Sequence, residues 1–477
     1  MTDITKFYID GQWVAPRGTD SFPMINPATE VKIGDLTLGN SADVDRAVQA
    51  AQKGHDVLRD RTKAQRIDLL KSIEAECRKR FDDLAWAQTT EMGAAITSSR
   101  DDMIEPAIGQ IPYFIDALNH LEDRKTLSTG DIEIVEPIGV AGLITPWNYP
   151  IYQAALKIIP ALATGCACVW KPSEFCALSA EIYAQVMHDA GVPAGAFNLI
   201  YGTGPQVGSA MSKHPGIQMM SFTGSTRGGK AVTIDASDTV KRVALELGGK
   251  SPNIVFAGCD LPARIDGSIN DLVLTTGQIC DAPSRMLVER SIYDDAVKLA
   301  AKAADAVRVG DPTKDGPHIG PLVNASQWDR VQSYIQQGID EGATLAAGGT
   351  GRPNDLNTGY YVRPTVFADC TPDMTIVREE IFGPVLVMLP FDTEEDAINM
   401  ANDTPYGLAG YIQSGDRAQA ERVAARMQAG AIHINGAWVN YGSPYGGMKQ
   451  SGNGREGGHH GLMEYLELKT LHFPESF

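Results

Sequence analysis

VAGLITPWNYP, at residues 140–150, is the most informative stretch of the sequence for the fold. Val140–Thr145 is a short apolar run that ends at Pro146, so it predicts a buried strand. Ile151–Ala163 then carries apolar residues at helical spacing, and Gly165 follows as a helix stop. A buried strand that leads directly into a helix is the repeating unit of a parallel sheet.

The same alternation continues along the middle of the chain. Further strands are predicted at Ala167–Lys171, Phe197–Tyr201, Met219–Phe222 and Arg242–Leu247. Helices are predicted at Leu178–Ala190, at Gln206–Ser212 and from Thr226 to about Ala236. Strands joined by crossover helices imply a parallel sheet, and ligands bind such sheets at the carboxyl ends of the strands.

The pattern is interrupted at Gly248-Gly249, which we interpret as a domain hinge. A second α/β region is predicted from Ser251 to about Gly430. Residues 431–454 are rich in Gly, Asn and Pro and predict a long functional loop. Residues 132–135 and 464–473 have strand character outside the main sheet, and a free strand edge near a terminus favours contact between subunits.

The bulk properties are those of a soluble globular protein of two or three domains. The chain has 477 residues, of which 43% are hydrophobic and 21% charged, and its net charge is -18. A nucleic-acid partner is disfavoured because no basic stripe is present. No apolar run has the ~20 residues that a membrane span needs. The N-terminal MTDITKFYIDGQW has no basic segment followed by an apolar one, so a cytoplasmic location is expected.

Two glycine-containing turns indicate a diphosphate site. Gly202–Gly208 follows a strand but departs by one residue from the pattern G-x-G-x-x-G, and an ordinary strand-to-helix turn explains it equally well. Phe222–Thr226 lies between a strand and a helix, whose N-terminus offers free N–H groups to an anion. Two such turns in one sheet are a stronger indication than either alone.

Three polar residues occur in unusual places. Cys280 lies in TGQICD; a nucleophile and a small buried side chain are both possible roles for a lone intracellular cysteine. Glu246 lies between two leucines at a strand end, where it is either functional or held in an ion pair. Asn148 follows a strand, so its amide either faces a ligand crevice or forms a turn.

The motifs TPWN, KPSE, FTGST, LELGGK, GQIC, EEIFGP and GGMKQSG follow one another in this order. This set closely resembles the aldehyde dehydrogenase superfamily, and the resemblance runs from about Phe7 to Leu471. It implies an α/β fold with a Rossmann-like parallel-sheet cofactor domain, a second α/β catalytic domain and a small β oligomerisation arm. The implied bounds are 1–117 and 138–247 for the NAD-binding domain, 248–461 for the catalytic domain, and 118–137 and 462–477 for the arm.

The resemblance also implies a role for each matching residue. Cys280 is similar to the family's nucleophile, Glu246 to its general base, and Asn148 to its oxyanion donor, acting with the Cys280 N–H. The implied cofactor is NAD, with NADP possible. The implied cofactor-binding residues are Thr145, Trp147, Lys171, Glu174, Gly204, Gly208, Phe222, Gly224, Ser225, Leu247, Glu380 and Phe382.

The resemblance predicts a substrate tunnel lined by Tyr149, Tyr152, Leu156, Ile279, Asp281, Trp438 and Tyr445. Four of these seven are aromatic, which favours an aromatic or medium-chain aldehyde, unless the rings only pack the loop. The set contains no Arg, so a carboxylate-bearing semialdehyde is disfavoured. An aminoaldehyde is the second candidate, because aromatic rings and an acid together can hold a cation. Two departures from the commonest family pattern, Thr275 and Asp281, leave the substrate open.

Several alternatives and secondary expectations remain. A CoA-acylating relative usually lacks the Glu of LELGG, a reductase would work against thioester hydrolysis, and an inactive binding protein would lack the Cys or the Glu. We expect no metal, because Cys166, Cys168 and Cys176 do not have zinc spacing and His459-His460 reads as a solvated pair. Glu456 is a proton relay or a salt-bridge partner. A homodimer or homotetramer is expected from the family's arm.

Overall fold

The computed structural model describes residues 2–474 and contains, within that range, two seven-stranded sheets. The first sheet has the strand order Arg242–Leu247, Met219–Gly224, Val140–Ile144, Ala167–Lys171, Phe197–Leu199, Phe7–Ile9 and Gln12–Val14. The first five strands are parallel and the last two are antiparallel. Every residue of the central strands Val140–Ile144 and Ala167–Lys171 is buried, because helices cover both faces of a parallel sheet.

The helices of the first half pack around this sheet. They are Ser41–Arg59, Lys63–Lys79, Phe81–Met92, Ile96–Ser98, Glu105–Gly109, Ile111–His120, Pro150–Thr164, Ala177–Asp189, Ser209–Lys213 and Thr226–Ala236. Pro150–Thr164 is almost completely buried, and most of its residues are apolar on both faces. It ends at Gly165, which adopts the left-handed conformation (φ 97°) that glycine tolerates best.

The second sheet forms the core of the second half. Its order is Thr344–Ala347, Thr365–Ala368, Val385–Phe391, Arg285–Glu289, Pro252–Val255, Ala409–Gln413 and Ala431–Ile434. All neighbouring strands are parallel except the edge strand Thr344–Ala347. Its helices are Leu261–Val273, Tyr293–Ala306, Ala325–Asp340, Thr375–Arg378, Glu394–Asn402 and Arg417–Ala424, and Gly458–Met463 follows near the C-terminus.

Two smaller sheets complete the fold. Ser21–Ile25 pairs with Lys32–Thr37. An antiparallel three-stranded sheet joins Arg124–Thr126, Ile132–Pro137 and Leu466–Leu471 in the order given. We call this three-stranded sheet the arm. Its last strand leaves Leu468 58% exposed at a free edge.

The α/β class with two parallel-strand sheets and a small strand arm is confirmed, and the corrections concern element ends. The strand predicted at Phe197–Tyr201 ends at Leu199, and the helix predicted at Gln206–Ser212 is a π-turn at Gly204–Gly208 followed by Ser209–Lys213. The loop predicted at 431–454 begins with the strand Ala431–Ile434.

The predicted domain bounds at 137 and 247 coincide with the ends of the strands Ile132–Pro137 and Arg242–Leu247, whereas two others fall inside helices. Residue 118 lies inside the helix Ile111–His120, and residue 462 lies inside Gly458–Met463. Residue 1 of the predicted NAD-binding domain and residues 475–477 of the predicted arm lie outside the described residues. Nowhere between residues 2 and 474 is there a helix with the length and apolar character that crossing a membrane requires.

Candidate active site

Asn148 lies where the strand Val140–Ile144 turns into the helix Pro150–Thr164. The next residue, Tyr149, has φ 52°, and this left-handed residue re-aims the chain at the start of the helix. The Asn148 side chain is buried, and its Nδ2 donates to the Gln278 carbonyl oxygen at 3.0 Å. The amide is therefore fixed against the loop that carries Cys280.

The loop at residues 274–284 is strained where it approaches Cys280. Thr275 and Thr276 have φ values of 50° and 59°, which β-branched residues adopt rarely. Gly277 has φ 72°, and a Cβ there would lie 2.3 Å from the carbonyl carbon of Gly383. Only glycine therefore fits at 277, and its contact holds the loop against residues 379–384.

Cys280 is partly exposed, and its Sγ lies 3.7 Å from the Tyr445 hydroxyl. Burial raises the pKa of the Cys280 thiol well above its ordinary value, and the neighbouring Asp281 carboxyl raises it further. The hydrogen bond with Tyr445 acts in the opposite direction and lowers this pKa. In the free protein the thiol is therefore largely protonated at neutral pH.

Glu246 is the penultimate residue of the strand Arg242–Leu247 and is buried. Among residues 2–474, neither of its carboxylate oxygens has a hydrogen-bond partner. Burial and the Glu456 carboxylate raise the pKa of Glu246 well above its ordinary value, while Lys157 and Arg455 lower it. Glu456 itself accepts from Lys157 Nζ at 2.5 Å. Of the two roles expected for Glu456, the structure therefore contains the salt bridge, and this salt bridge lies beside Glu246.

A cavity of about 210 Å³ lies at the carboxyl ends of the first sheet's strands. We call it the cofactor cavity. Predicted site residues that line it are Trp147, Asn148, Gly224, Ser225, Glu246, Leu247, Cys280, Glu380 and Phe382. Ser225 caps the helix Thr226–Ala236 by accepting from the Gly228 N–H. The Thr223 hydroxyl is buried in this cavity wall and has no hydrogen-bond partner in the described part of the chain.

The far wall of the cofactor cavity comes from the second half of the chain. Glu380 Oε1 accepts from the Gly249 N–H at 3.2 Å, and burial raises the pKa of Glu380 to about 7. A Cβ on Gly248 would lie 2.2 Å from Glu380 Oε2, so a larger residue at 248 would displace the Glu380 carboxylate. The Phe382 and Trp147 rings meet edge to face at 5.3 Å.

The remaining predicted cofactor residues lie outside the cavity wall: Thr145, Lys171, Glu174, Gly204, Gly208 and Phe222. Thr145 Oγ1 accepts from Trp170 Nε1 at 2.9 Å. Lys171 Nζ lies 3.7 Å from Glu174 Oε2, at the end of the neighbouring strand. Gly204 and Gly208 bound the π-turn, and the Phe222 ring fills the space that a Cβ on Gly224 would need.

A second cavity, of about 680 Å³, reaches Cys280 from another side. We call it the tunnel. All seven predicted substrate residues line it: Tyr149, Tyr152, Leu156, Ile279, Asp281, Trp438 and Tyr445. Both cavities share Asn148, Gln153, Cys280 and Tyr445. Cys280 thus lies where the two cavities meet.

The structure adds residues to both walls that sequence reasoning did not find. Gln153, Thr223, Gln327, Arg330 and Leu408 join the cofactor cavity. Asp101, Asp102, Tyr113, Asn270, Asp271, His433 and Tyr441 join the tunnel. They come from elements distant in sequence, and only Thr223, in FTGST, belongs to a recognisable motif. The adjacent pair Asp101-Asp102 is the one local feature of the sequence that could have indicated a residue of the tunnel wall.

The profile of the Aldehyde dehydrogenase family matches residues 13–471. The chain belongs to this family. It is 45% identical over 474 residues, 99% of both chains, to a 3-succinoylsemialdehyde-pyridine dehydrogenase of Pseudomonas sp. Family membership and the ordered motifs of the sequence therefore agree.

Solved structures of family members have the same fold. The aldehyde dehydrogenase of Bartonella henselae superposes with a TM-score of 0.97, at 46% identity and 99% coverage of both chains. A mutant of aldehyde dehydrogenase C from Pseudomonas syringae, in complex with NAD+ and octanal, also gives a TM-score of 0.97. It is 44% identical and covers 98% of this chain and 96% of its own.

The clustered cysteines and the histidine pair singled out in the sequence line neither cavity. Cys166, Cys168 and Cys176 are buried, and residues 2–474 contain no group of three His, Cys, Asp or Glu side chains able to hold a metal ion. His459 and His460 are exposed, with their rings edge to face at 5.8 Å.

Asp281→Asn should speed alkylation of Cys280 by iodoacetamide at pH 8. A thiol whose pKa lies above 9 is at most about one-tenth ionised at pH 8, and only the thiolate reacts. Removing the Asp281 charge lowers that pKa, so we expect a rate increase of about three- to tenfold. Peptide mass spectrometry at Cys280 gives the rate. Asp305→Asn, at an exposed site outside the tunnel, should leave it unchanged; equal rates for Asp281→Asn and the wild type would contradict this account.

Proposed function

We propose that the protein oxidises an aldehyde to a carboxylic acid with NAD, through a thioester on Cys280. The observation that carries this proposal is the position of Cys280 where the cofactor cavity and the tunnel meet. A nucleophile at such a junction can hold the substrate carbon while a cofactor approaches it from the other side.

In the first step the partly exposed Cys280 thiol loses its proton to solvent water, and the resulting thiolate attacks the aldehyde carbonyl to give a thiohemiacetal. One N–H of the Asn148 amide already donates to Gln278, and the other remains for the oxyanion. The Cys280 backbone N–H is the second proposed donor. One donor of this kind contributes about 3–4 kcal/mol to transition-state stabilisation.

The residues around the cofactor cavity fit a dinucleotide. Ser225 and the N-terminus of the helix Thr226–Ala236 suit a diphosphate, and the unpartnered Thr223 hydroxyl is a free polar group beside it. Glu380 and Phe382 suit the ribose and ring on the Cys280 side, and Lys171 with Glu174 suits the adenosine ribose. When bound, NAD accepts the hydride of the thiohemiacetal.

Glu246 then activates the water that hydrolyses the thioester. Its raised pKa makes it a stronger base than an exposed carboxylate once it is ionised. Burial and the Glu456 carboxylate favour the protonated form of Glu246, whereas Lys157 and Arg455 favour the ionised form that acts as the base. The presence of Glu246 also favours hydrolysis over transfer to CoA.

The substrate we propose is an aromatic or medium-chain aldehyde. The rings of Tyr113, Tyr149, Tyr152, Trp438, Tyr441 and Tyr445 line the tunnel, which suits an apolar or flat body. Octanal in the Pseudomonas syringae complex and the pyridine in the name of the Pseudomonas sp relative are consistent with such a body.

A homodimer or homotetramer is proposed through the arm. Its edge strand Leu466–Leu471 exposes Leu468, and unpaired backbone groups at such an edge can pair with another copy of the chain. Arg242 ties this strand to the first sheet by donating to the carbonyl oxygens of Glu464 and Leu466, each at 2.8 Å. The strand is therefore held in place for such a contact.

Cys280→Ala should abolish aldehyde oxidation, because no thiohemiacetal can form, while NAD still binds. Glu246→Gln should lower kcat by about a hundredfold or more and accumulate a thioester on Cys280, because general base catalysis is lost. Stopped-flow absorbance and intact mass measure both effects. Cys259→Ala, at the other partly exposed cysteine, should retain activity. Full activity in Cys280→Ala or Glu246→Gln would remove that residue from the mechanism.

NAD should be preferred to NADP. The Glu174 carboxylate would accept hydrogen bonds from the ribose hydroxyls and repel a 2′-phosphate. Steady-state kcat/KM for both cofactors measures the preference, and Glu174→Gln should narrow it because the repulsion is lost. A kcat/KM for NADP equal to that for NAD would be the contrary result.

Light scattering at micromolar concentration should give a mass of two or four times the 51.3 kDa chain. Leu468→Lys should shift the protein toward the monomer, because a charge on an edge strand opposes pairing. Leu345→Lys, on the exposed edge strand Thr344–Ala347, is the matched control and should leave the measured mass unchanged. A wild-type monomer would refute the proposed assembly.

A further inference from the structure

We propose that the Tyr445 hydroxyl is a further catalytic group, which donates a hydrogen bond to the Cys280 sulfur whenever that sulfur carries negative charge. This inference rests on the proposed function and adds to it the group that stabilises the thiolate. Its basis is a direct contact, because the Tyr445 hydroxyl lies 3.7 Å from Cys280 Sγ, within hydrogen-bond range for sulfur. A thiolate has lost its proton and can only accept, so the hydroxyl is then the donor.

The charged groups around Cys280 work against the thiolate. Burial raises the pKa of the thiol most, and the carboxylates of Asp281, Glu380 and Glu246 raise it further. These three carboxylates come from three different segments of the chain, so negative charge surrounds the sulfur. The hydrogen bond with Tyr445 is the contact that acts in the opposite direction.

The other donors near the site are engaged elsewhere. Within residues 2–474, Arg330 is the one lysine or arginine that lines either cavity, and its exposed guanidinium donates to a backbone carbonyl oxygen at 2.7 Å. His433 Nδ1 lies 2.9 Å from another backbone carbonyl oxygen. The Tyr149 hydroxyl pairs with Thr275 Oγ1 at 3.1 Å. The thiolate therefore depends on a neutral hydroxyl rather than on an adjacent cation.

The backbone around Tyr445 fixes the hydroxyl in this position. Tyr445 and Glu456 exchange two backbone hydrogen bonds, of 2.9 and 2.7 Å. A Cβ on the next residue, Gly446, would lie 2.6 Å from Glu246 Oε1, so the chain passes directly beside the proposed base. The segment thus contacts Cys280 through a side chain and Glu246 through the backbone. A donor held in this way needs no rearrangement when charge develops on the sulfur.

Two acceptors compete for the single proton of the Tyr445 hydroxyl. Burial raises the pKa of the Asp281 carboxyl, whereas His433 and a hydrogen bond from Tyr445 lower it. A tyrosine hydroxyl has one proton to donate, and an ionised acceptor binds it more strongly than a neutral one. We therefore expect donation to Asp281 while the sulfur is uncharged, and donation to Cys280 once the thiolate forms.

This competition gives Tyr445 a role at two points of the reaction. Before the attack, donation to the sulfur raises the thiolate fraction, which depends more steeply on the thiol pKa than nucleophilicity does. In hydrolysis, a bond forms between the water oxygen and the thioester carbon, and Glu246 takes the water proton. The carbon–sulfur bond then breaks with its electron pair on Cys280, and the Tyr445 hydroxyl stabilises this leaving thiolate.

Alkylation of Cys280 tests the donation without aldehyde or NAD. Tyr445→Phe keeps the ring and removes the hydroxyl. Added to Asp281→Asn, where the competing carboxylate is gone, it should slow the reaction with iodoacetamide at pH 8 by about threefold or more. It should also move the midpoint of the rate–pH profile to higher pH, because the thiolate has lost its donor. Peptide mass spectrometry at Cys280 gives the rates over a series of pH values.

Tyr8→Phe is the matched control for the loss of a tyrosine hydroxyl. Tyr8 lies in neither cavity wall, and its hydroxyl is 3.2 Å from His188 Nδ1. Tyr8→Phe should leave the alkylation of Cys280 unchanged. Equal rates for Asp281→Asn with and without Tyr445→Phe would overturn the inference and leave the proposed function intact.

Turnover shows whether the same hydrogen bond acts in catalysis. Tyr445→Phe alone should lower kcat/KM for octanal by about threefold to tenfold. An unchanged kcat/KM would overturn the inference, and so would a loss of turnover in a variant whose Cys280 alkylation profile is that of the wild type, since Tyr445 would then only pack the tunnel. If the wild-type protein oxidises no aldehyde, the proposed function fails, and the alkylation rates alone decide whether Tyr445 stabilises the thiolate.

Discussion

The hydrogen bond from Asn148 to the Gln278 carbonyl oxygen is the contact on which the rest of the site depends. Asn148 belongs to the first sheet's side of the molecule, and Gln278 belongs to the loop before Cys280. Gln278 extends the link, because its Oε1 accepts from the Val323 N–H at 3.0 Å and its Nε2 donates to the Thr275 carbonyl oxygen. Cys280 and Asn148, the proposed nucleophile and oxyanion donor, come from different halves of the chain and are thus held at a fixed separation.

The strained loop at residues 274–284 keeps its conformation because contacts with neighbouring segments fix it at several points. Thr276 Oγ1 donates to the Gly320 carbonyl oxygen, and Gly277 packs against Gly383. Left-handed residues are costly by about 1–3 kcal/mol each and persist where neighbouring contacts fix them. Residues 379–384 are thereby held beside Cys280, so the walls around Glu380 and Phe382 follow from the packing of two glycines.

Much of the fold could be predicted from periodicity, because buried parallel strands are short apolar runs with glycine or proline at their ends. The strand at 140–144 and the helix after it are clear examples. The π-turn at Gly204–Gly208 was read as part of a helix, since local spacing does not separate i+4 from i+5 hydrogen bonding. The seven residues predicted to line the tunnel came from the family's layout and do line it, whereas His433, Asp271 and Arg330 lie in no motif. They reach the cavities only through tertiary packing.

The two cavities also determine how reactants enter and leave the site. The cofactor cavity reaches solvent beside Ser225 and Arg330, whereas the tunnel reaches it beside Tyr113 and Trp438, and all four of these residues are exposed. Each reactant therefore has its own route to Cys280. An acid released from the thioester can depart through the tunnel while the dinucleotide stays in place, so neither departure has to wait for the other.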